Sequence, residues 1–165
     1  LLTLFGHGLG MSDDDLQTLA TGGLLHDVGK LVTPPKILNK PGKLDETEWG
    51  VMRHHVVESA DILERVPDAT KGARIIAEQH HEKLDGTGYP KGLKGAELND
   101  LARMSAIVDI FGALTDARSY KPAFTTNRAF SILEDMQSAI DQNLLTIFKE
   151  IFLSSDYANH AGRAL

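Results

Sequence analysis

A carboxylate taken out of water needs a positive partner, and the stretch Leu24-Leu25-His26-Asp27-Val28-Gly29-Lys30 puts one at the end of an apolar helical run. Burying an unpaired carboxylate costs on the order of several kcal/mol. His26 and Asp27 together offer a neutral nitrogen and an anionic oxygen, which suits a metal ion or a hydrogen-bonded core pair. The choice between them rests on what else the chain brings to the same point.

At 165 residues, with 42% apolar and 24% charged residues, the chain is long enough for one domain with a real core. It reads as a single domain over 1–165, with 1–11 the remnant of a preceding helix, 12–136 the core and 137–165 a C-terminal helix and tail. The opening Leu1-Leu2-Thr3-Leu4-Phe5 begins in mid-pattern, as a fragment entered partway through a helix would. No cysteine is present, so any metal must be held by His and carboxylate, and a reducing cytoplasm fits. A net charge of -6 argues against duplex DNA as partner. No apolar run approaches the roughly 18 residues that a membrane span requires, and no signal peptide is evident.

The spacing of apolar residues predicts helices throughout, an all-α fold. Leu1 to Gly8 is a helix stopped at Gly8 or Gly10, with His7 at the surface. Ser12 caps a helix whose first turn holds Asp13, Asp14 and Asp15, where the helix dipole favours anions. Its inner face is Leu16, Leu19, Ala20, Gly23 and Asp27, with Gly22 and Gly23 marking close packing and Gly29 ending it. A helix from Asp45 or Thr47 to about Arg65 carries Trp49, Met52, Val56, Ser59, Ile62 and Leu63 on its stripe. His55 shares that stripe, while His54 lies roughly 100° round and faces out. Pro67 and Asp68 open a helix that turns Ala73, Ile76, Ala77 and His80 inward, with His81 alongside. The glycines and proline between Lys83 and Glu97 demand an irregular loop. Asn99 to Asp116 is apolar nearly all round, hence central, with Asp109 in its middle. Helices starting at Thr126 or Asn127 and around Ile140 to Phe152 complete the chain.

Six residues then point inward from four helical segments: His26, Asp27, His55, His80, His81 and Asp109. One inward histidine is an ordinary core residue. Four of the chain's seven histidines together with two buried aspartates are hard to satisfy separately. They supply donors for two ions if one carboxylate bridges. Imidazole and carboxylate without sulfur suit iron or manganese, with zinc possible. Two such ions about 4 Å apart lower the pKa of a bound water and stabilise the attacking and leaving oxygens of a phosphoryl displacement.

Four segments resemble the HD-GYP family of bacterial cyclic-di-GMP phosphodiesterases. They are His26-Asp27-Val28-Gly29-Lys30, His80-His81-Glu82-Lys83-Leu84-Asp85-Gly86-Thr87-Gly88-Tyr89-Pro90, Ala102-Arg103 through Asp109 to Leu114, and Arg118-Ser119-Tyr120-Lys121. The resemblance covers about Leu16 to Met136. It implies a compact helical bundle of the HD superfamily with an irregular GYP loop, and two, in some members three, divalent metal ions. By it His26, Asp27 and Asp109 hold a first metal, while His55, His80 and His81 hold a second, with Asp27 bridging. Lys30 contacts the scissile phosphate, and Arg118 and Lys121 hold phosphate or guanine. The loop residues Asp85, Gly86, Gly88, Tyr89 and Pro90 border the substrate cleft, with Tyr89 as an exposed anchor for partners such as diguanylate cyclase (GGDEF) domains. A sensory or receiver domain ahead of this one is common in the family.

The implied activity is hydrolysis of cyclic di-GMP to pGpG, with pGpG or GMP as the final product. Two features depart from the family pattern. The upstream His or Glu ligand has no counterpart in Leu1 to Met11, so it is either upstream of this fragment or absent, and Gly112 stands where the family places Asp. They leave a second reading, a weakly active module that binds cyclic di-GMP or a cyclase, and a third, an HD phosphohydrolase for other nucleotides.

Overall fold

The computed structural model describes residues 1–117 and 122–155. Arg118 and Lys121 lie outside the described residues. The described chain is helical throughout, with no strand and one isolated bridge between Asp85 and Lys94. The helices are α1 (Leu2–Gly8), α2 (Asp13–Leu25), α3 (Pro35–Leu38), α4 (Glu46–Arg53), α5 (His55–Glu64), α6 (Lys71–Gln79), α7 (Asp100–Thr115), α8 (Thr126–Asp135) and α9 (Gln142–Ser154). Short 3₁₀ turns occupy Val28–Val32, Gly95–Glu97 and Gln137–Ala139.

Side-chain caps set most of the starting points. Ser12, Thr70, Asn99, Thr125 and Asp141 each accept an N–H from the first turn they precede, and Asp45 does so in a reciprocal capping box with Glu48. The Thr70 cap corrects the expected start at Pro67 and Asp68. The expected single helix from Asp45 to Arg65 is two, with His54 as the joint; its backbone remains right-handed helical, so the apolar period carries across the break. Trp49, expected inward, is nevertheless 43% exposed. Ala20 is likewise exposed, and Gly22 is the buried neighbour. A Cβ on Gly22 would lie 2.6 Å from Ile76 Cδ1 and 3.1 Å from Ala73 Cα, so this glycine is what lets α2 approach α6.

The core joins α1, α2 and α6 to α7, α8 and α9 through Leu2, Leu19, Ile76, Met104, Ile107 and five phenylalanines. Phe148 is its hub, with ring centroids 5.1 Å from Phe5, 5.4 Å from Phe111, 6.0 Å from Phe130 and 6.1 Å from Phe152. These spacings suit offset and edge-on aromatic contact. Because Met104, Ile107 and Phe111 are buried on α7, the rotation of that helix is fixed, and Asp109 is turned towards α2 and α6. Replacing Phe148 by Ala removes a ring that four others contact. Stability should fall by about 3–5 kcal/mol, read as a lower urea midpoint at unchanged slope.

Candidate metal centre

α2 does not run to Gly29. It ends at Leu25, and His26 caps it with its Nδ1 2.8 Å from the carbonyl oxygen of Gly23. Asp27 follows outside the helix, and the chain continues as the 3₁₀ turn. Gly29 serves packing rather than termination. Its N–H donates to Ser59 Oγ at 2.8 Å, and a Cβ there would stand 2.1 Å from the His55 carbonyl oxygen. The turn carrying Asp27 and Lys30 is thereby pressed onto α5 beside His55.

The histidines are oriented by their own helices. His55 Nδ1 lies 2.7 Å from Met52 O, and His80 Nδ1 lies 3.0 Å from Ala77 O and 3.2 Å from Ile76 O. A carbonyl only accepts, so each Nδ1 carries the proton, and in the neutral ring Nε2 presents a lone pair. Those lone pairs converge on Asp27. His55 Nε2 is 3.1 Å and His80 Nε2 3.8 Å from Oδ1, and His26 Nε2 is 3.5 Å from Oδ2. Asp27 Oδ1, His55 Nε2 and His80 Nε2 are buried without a hydrogen-bond partner. Acceptors facing acceptors in a buried site call for a cation.

Asp109 closes the other side, with Oδ1 3.7 Å from His26 Nε2 and Oδ2 3.5 Å from His81 Nδ1. Asp27, His55, His80 and His81 each offer one donor atom within 4.8 Å of the others, a group suited to hold a metal ion. His26 joins Asp27 and Asp109 at its edge. All six inward residues named from the sequence therefore meet at one place. His54 stays outside, 61% exposed at its side chain and 3.4 Å from Glu58.

The electrostatics agree with an ion-binding site. Burial, and then the charge of neighbouring histidines, holds His80 well below the ordinary histidine range. Burial and the adjacent His55 push His81 down to about 3. Burial works against ionisation of Asp27, but the Lys30 ammonium paired with it outweighs that and holds the carboxyl well below the usual range. Lys30 Nζ is paired with Asp27 Oδ2.

The GYP loop is anchored by a residue that carried no assignment in the sequence. Glu82 is fully buried, and its carboxylate accepts N–H bonds from Lys91 at 2.6 Å, Gly92 at 3.1 Å and Leu93 at 3.0 Å. A carboxylate directly after two inward histidines, ahead of a glycine-rich stretch with many free backbone donors, was the available signal. Asp85 pins the first bend by accepting from Thr87 N at 2.9 Å, and Gly86 takes the left-handed φ of +79° that this bend requires. Gly88 leaves no space for a side chain, since a Cβ would lie 2.5 Å from Glu82 Cα. Pro90 follows at the exposed tip of the loop.

Tyr89 is not the exposed anchor expected. It is half-buried, its ring centroid is 4.7 Å from that of His81, and burial pushes its phenol pKa upward. Gly112 lies one turn after Asp109, and a Cβ there would meet nothing within 4 Å. A cleft of about 460 Å³ lined by Val32, Thr33, Val51, His54 and Glu58 shares only His55 with this cluster, so the donor set, rather than that cleft, locates the chemistry.

Residues 1–144 match the HD domain family. The chain belongs to the HD domain family. Its resemblance to HD-GYP proteins stands with that membership. The HD domain is 40% identical over 148 residues to 3′3′-cGAMP-specific phosphodiesterase 3 of Vibrio cholerae, covering 89% of this chain and 32% of that protein. It is 34% identical over 148 residues to a cyclic di-GMP phosphodiesterase of Pseudomonas aeruginosa, covering 90% of this chain and 36% of the relative. Among solved structures it is similar to an HDG"Y"P protein from Bdellovibrio bacteriovorus, with a TM-score of 0.72 at 22% identity over 93% of this chain and 49% of that one. The chain thus spans about a third of the length of these curated relatives. No helix among the described residues is long and apolar enough to cross a membrane.

Two measurements check this account of the HD domain. Glu82→Ala strips three loop amides of their acceptor. It should cost about 1–3 kcal/mol for buried donors left unmade, and hydrogen exchange at Lys91, Gly92 and Leu93 should accelerate; unchanged exchange there would remove Glu82 from the anchor role. For the metal-free chain, His80 and His81 have folded pKa values below their unfolded ones, so the unfolded state binds more protons in between. Their stabilising effect is complete above about pH 6.5 and is lost as pH falls below it, with a slope approaching about 1.4 kcal/mol per pH unit for each. Denaturant titrations across that range should show the decline, and a flat profile would contradict the buried neutral pair.

Proposed function

We propose that this HD domain is a metal-dependent phosphodiesterase that opens cyclic di-GMP to linear pGpG and carries it on to GMP. The carrying observation is the convergence of unpartnered Nε2 lone pairs on the unpartnered Asp27 Oδ1. His55, His80 and His81 would hold one ion, His26 and Asp109 the other, with Asp27 shared, and iron or manganese suits that donor set. Divalent ions in such a site lower the pKa of a bound water and offset charge gathering on a phosphoryl group.

The residues around the ions have separate tasks. Asp27 and Asp109 supply the negative charge that selects a divalent cation, and the backbone carbonyls behind His26, His55 and His80 keep the rings turned inward. Lys30, now paired with Asp27, would turn to a phosphate oxygen and carry part of the charge that builds as the bond to the leaving oxygen breaks. Arg118 and Lys121 are assigned to phosphate or guanine. The GYP loop is the docking face for a cyclase domain, an upstream sensory or receiver domain regulates the activity, and the compartment is the cytoplasm.

A second substrate, 3′3′-cGAMP, is favoured by the 40% identity to a phosphodiesterase specific for it. The regulatory reading is favoured by Gly112, one turn after Asp109, where a side chain would meet nothing within 4 Å.

Anaerobic turnover of cyclic di-GMP and cyclic GMP-AMP by iron(II)- or manganese(II)-loaded chain, with metal counted on the same sample, tests the proposal. Metal-dependent release of linear product is expected, and Asp27→Ala should abolish turnover and metal content together; turnover retained by that variant would refute the assignment. Gly112→Asp fits the open space beside Asp109. If the missing carboxylate has weakened the site, this change should raise activity or metal affinity by about 10- to 100-fold.

A further inference from the structure

Arg53 is the last residue of α4, and its guanidinium contacts two aromatic rings. It stands 5.6 Å from the centroid of Trp49, one turn back on the same helix, and 5.5 Å from the centroid of Tyr89 in the loop. Tyr89 in turn stacks on His81. The series Trp49, Arg53, Tyr89, His81 therefore leads from the exposed rim inward to the donor cluster. Among the described residues Arg53 makes no hydrogen bond and no ion pair. Cation–π contact positions the guanidinium without engaging its N–H donors, so a planar fork of donors is held in place and unspent.

Such a fork matches a pair of coplanar acceptors. Arg53 is linked to the donor cluster through Tyr89, whose ring contacts both the guanidinium and His81. In a cyclic dinucleotide both phosphates belong to one small macrocycle, and the bases project from it. A base is therefore the part that extends to the rim when one phosphate lies at the cluster. Guanine presents O6 and N7, two acceptors that an arginine bonds bidentately, whereas adenine presents N7 beside the N6 amino donor.

Building on the phosphodiesterase reading, we propose that Arg53, seated on Trp49 and Tyr89, reads the O6/N7 edge of one guanine and so determines which cyclic dinucleotide this domain accepts. The loop does not depend on Arg53 for its position, since Glu82 and the Tyr89 N–H bond to His81 O hold it independently. Loss of the arginine should therefore act on binding rather than on the chemical step.

The test uses the whole metal-loaded chain, wild type, Arg53→Ala and Arg53→Lys, with cyclic di-GMP and cyclic di-AMP as probes. Trp49 is the chain's one tryptophan, so its fluorescence reports binding beside Arg53 without reference to turnover. Both variants should bind cyclic di-GMP more weakly by on the order of ten- to a hundredfold, with KM raised and kcat little changed. Cyclic di-AMP should be spared that loss, so the preference between the two narrows by the same factor. Lysine keeps the charge and loses the fork, so a lysine variant with wild-type affinity and preference would overturn guanine readout. Equal losses on both dinucleotides would also overturn it and point to the second phosphate. Binding of cyclic di-GMP that depends on Arg53 but leads to no product would uphold this proposal and sink the hydrolase reading. Turnover indifferent to Arg53 would do the reverse, and a chain that neither binds nor cleaves either compound would overturn both.

Discussion

The constraint on which the structure turns is the position of one carboxylate. Asp27 sits where three imidazoles direct lone pairs at it, and two of those nitrogens and one of its own oxygens are buried without partners. A folded chain tolerates such an arrangement only if a cation completes it, because the alternative is several desolvated acceptors repelling one another. Lys30 offers part of the compensation on the Oδ2 side. On the Oδ1 side no described residue offers a hydrogen-bond donor. The elements that meet there, the end of α2, the start of α5, the end of α6 and the middle of α7, are brought together by a core that lies to one side of them. The phenylalanine cluster supplies the cohesive free energy, and the donor cluster uses the resulting rigidity.

Much of this was readable from residue order. The choice of His55 over His54 followed from the helical period and holds, with one ring enclosed and its neighbour in solvent. The six inward residues were found by asking which polar side chains interrupt apolar faces, a question that needs no knowledge of tertiary contacts. Helix starts were visible where the cap was a good one, as at Ser12 and Asn99.

What escaped the sequence has physical causes. Gly29 was taken for a terminator because glycine is common just past a helix end, yet its role is to let two backbones touch, and that depends on a partner thirty residues away. The break at His54 keeps right-handed helical angles, so no glycine or proline marks it. Tyr89 was expected outside because the family resemblance implies a docking surface on the loop; the ring it lies against is that of His81, which precedes it in the same motif. Glu82 was passed over because charge periodicity cannot reveal a carboxylate that bonds only to backbone.

Glu82 also joins two things that look separate in the sequence. It follows His81 without an intervening residue, and it holds the far limb of the loop through three amides. The loop and the histidine pair consequently form one lever, pivoted on a buried carboxylate. Whatever displaces the loop tip, whether a small molecule or a protein, must either break those three bonds or carry His81 along with it. In this architecture mechanical input at the surface has a short and stiff route to the histidine cluster, and the stiffness lies in the side chain of Glu82.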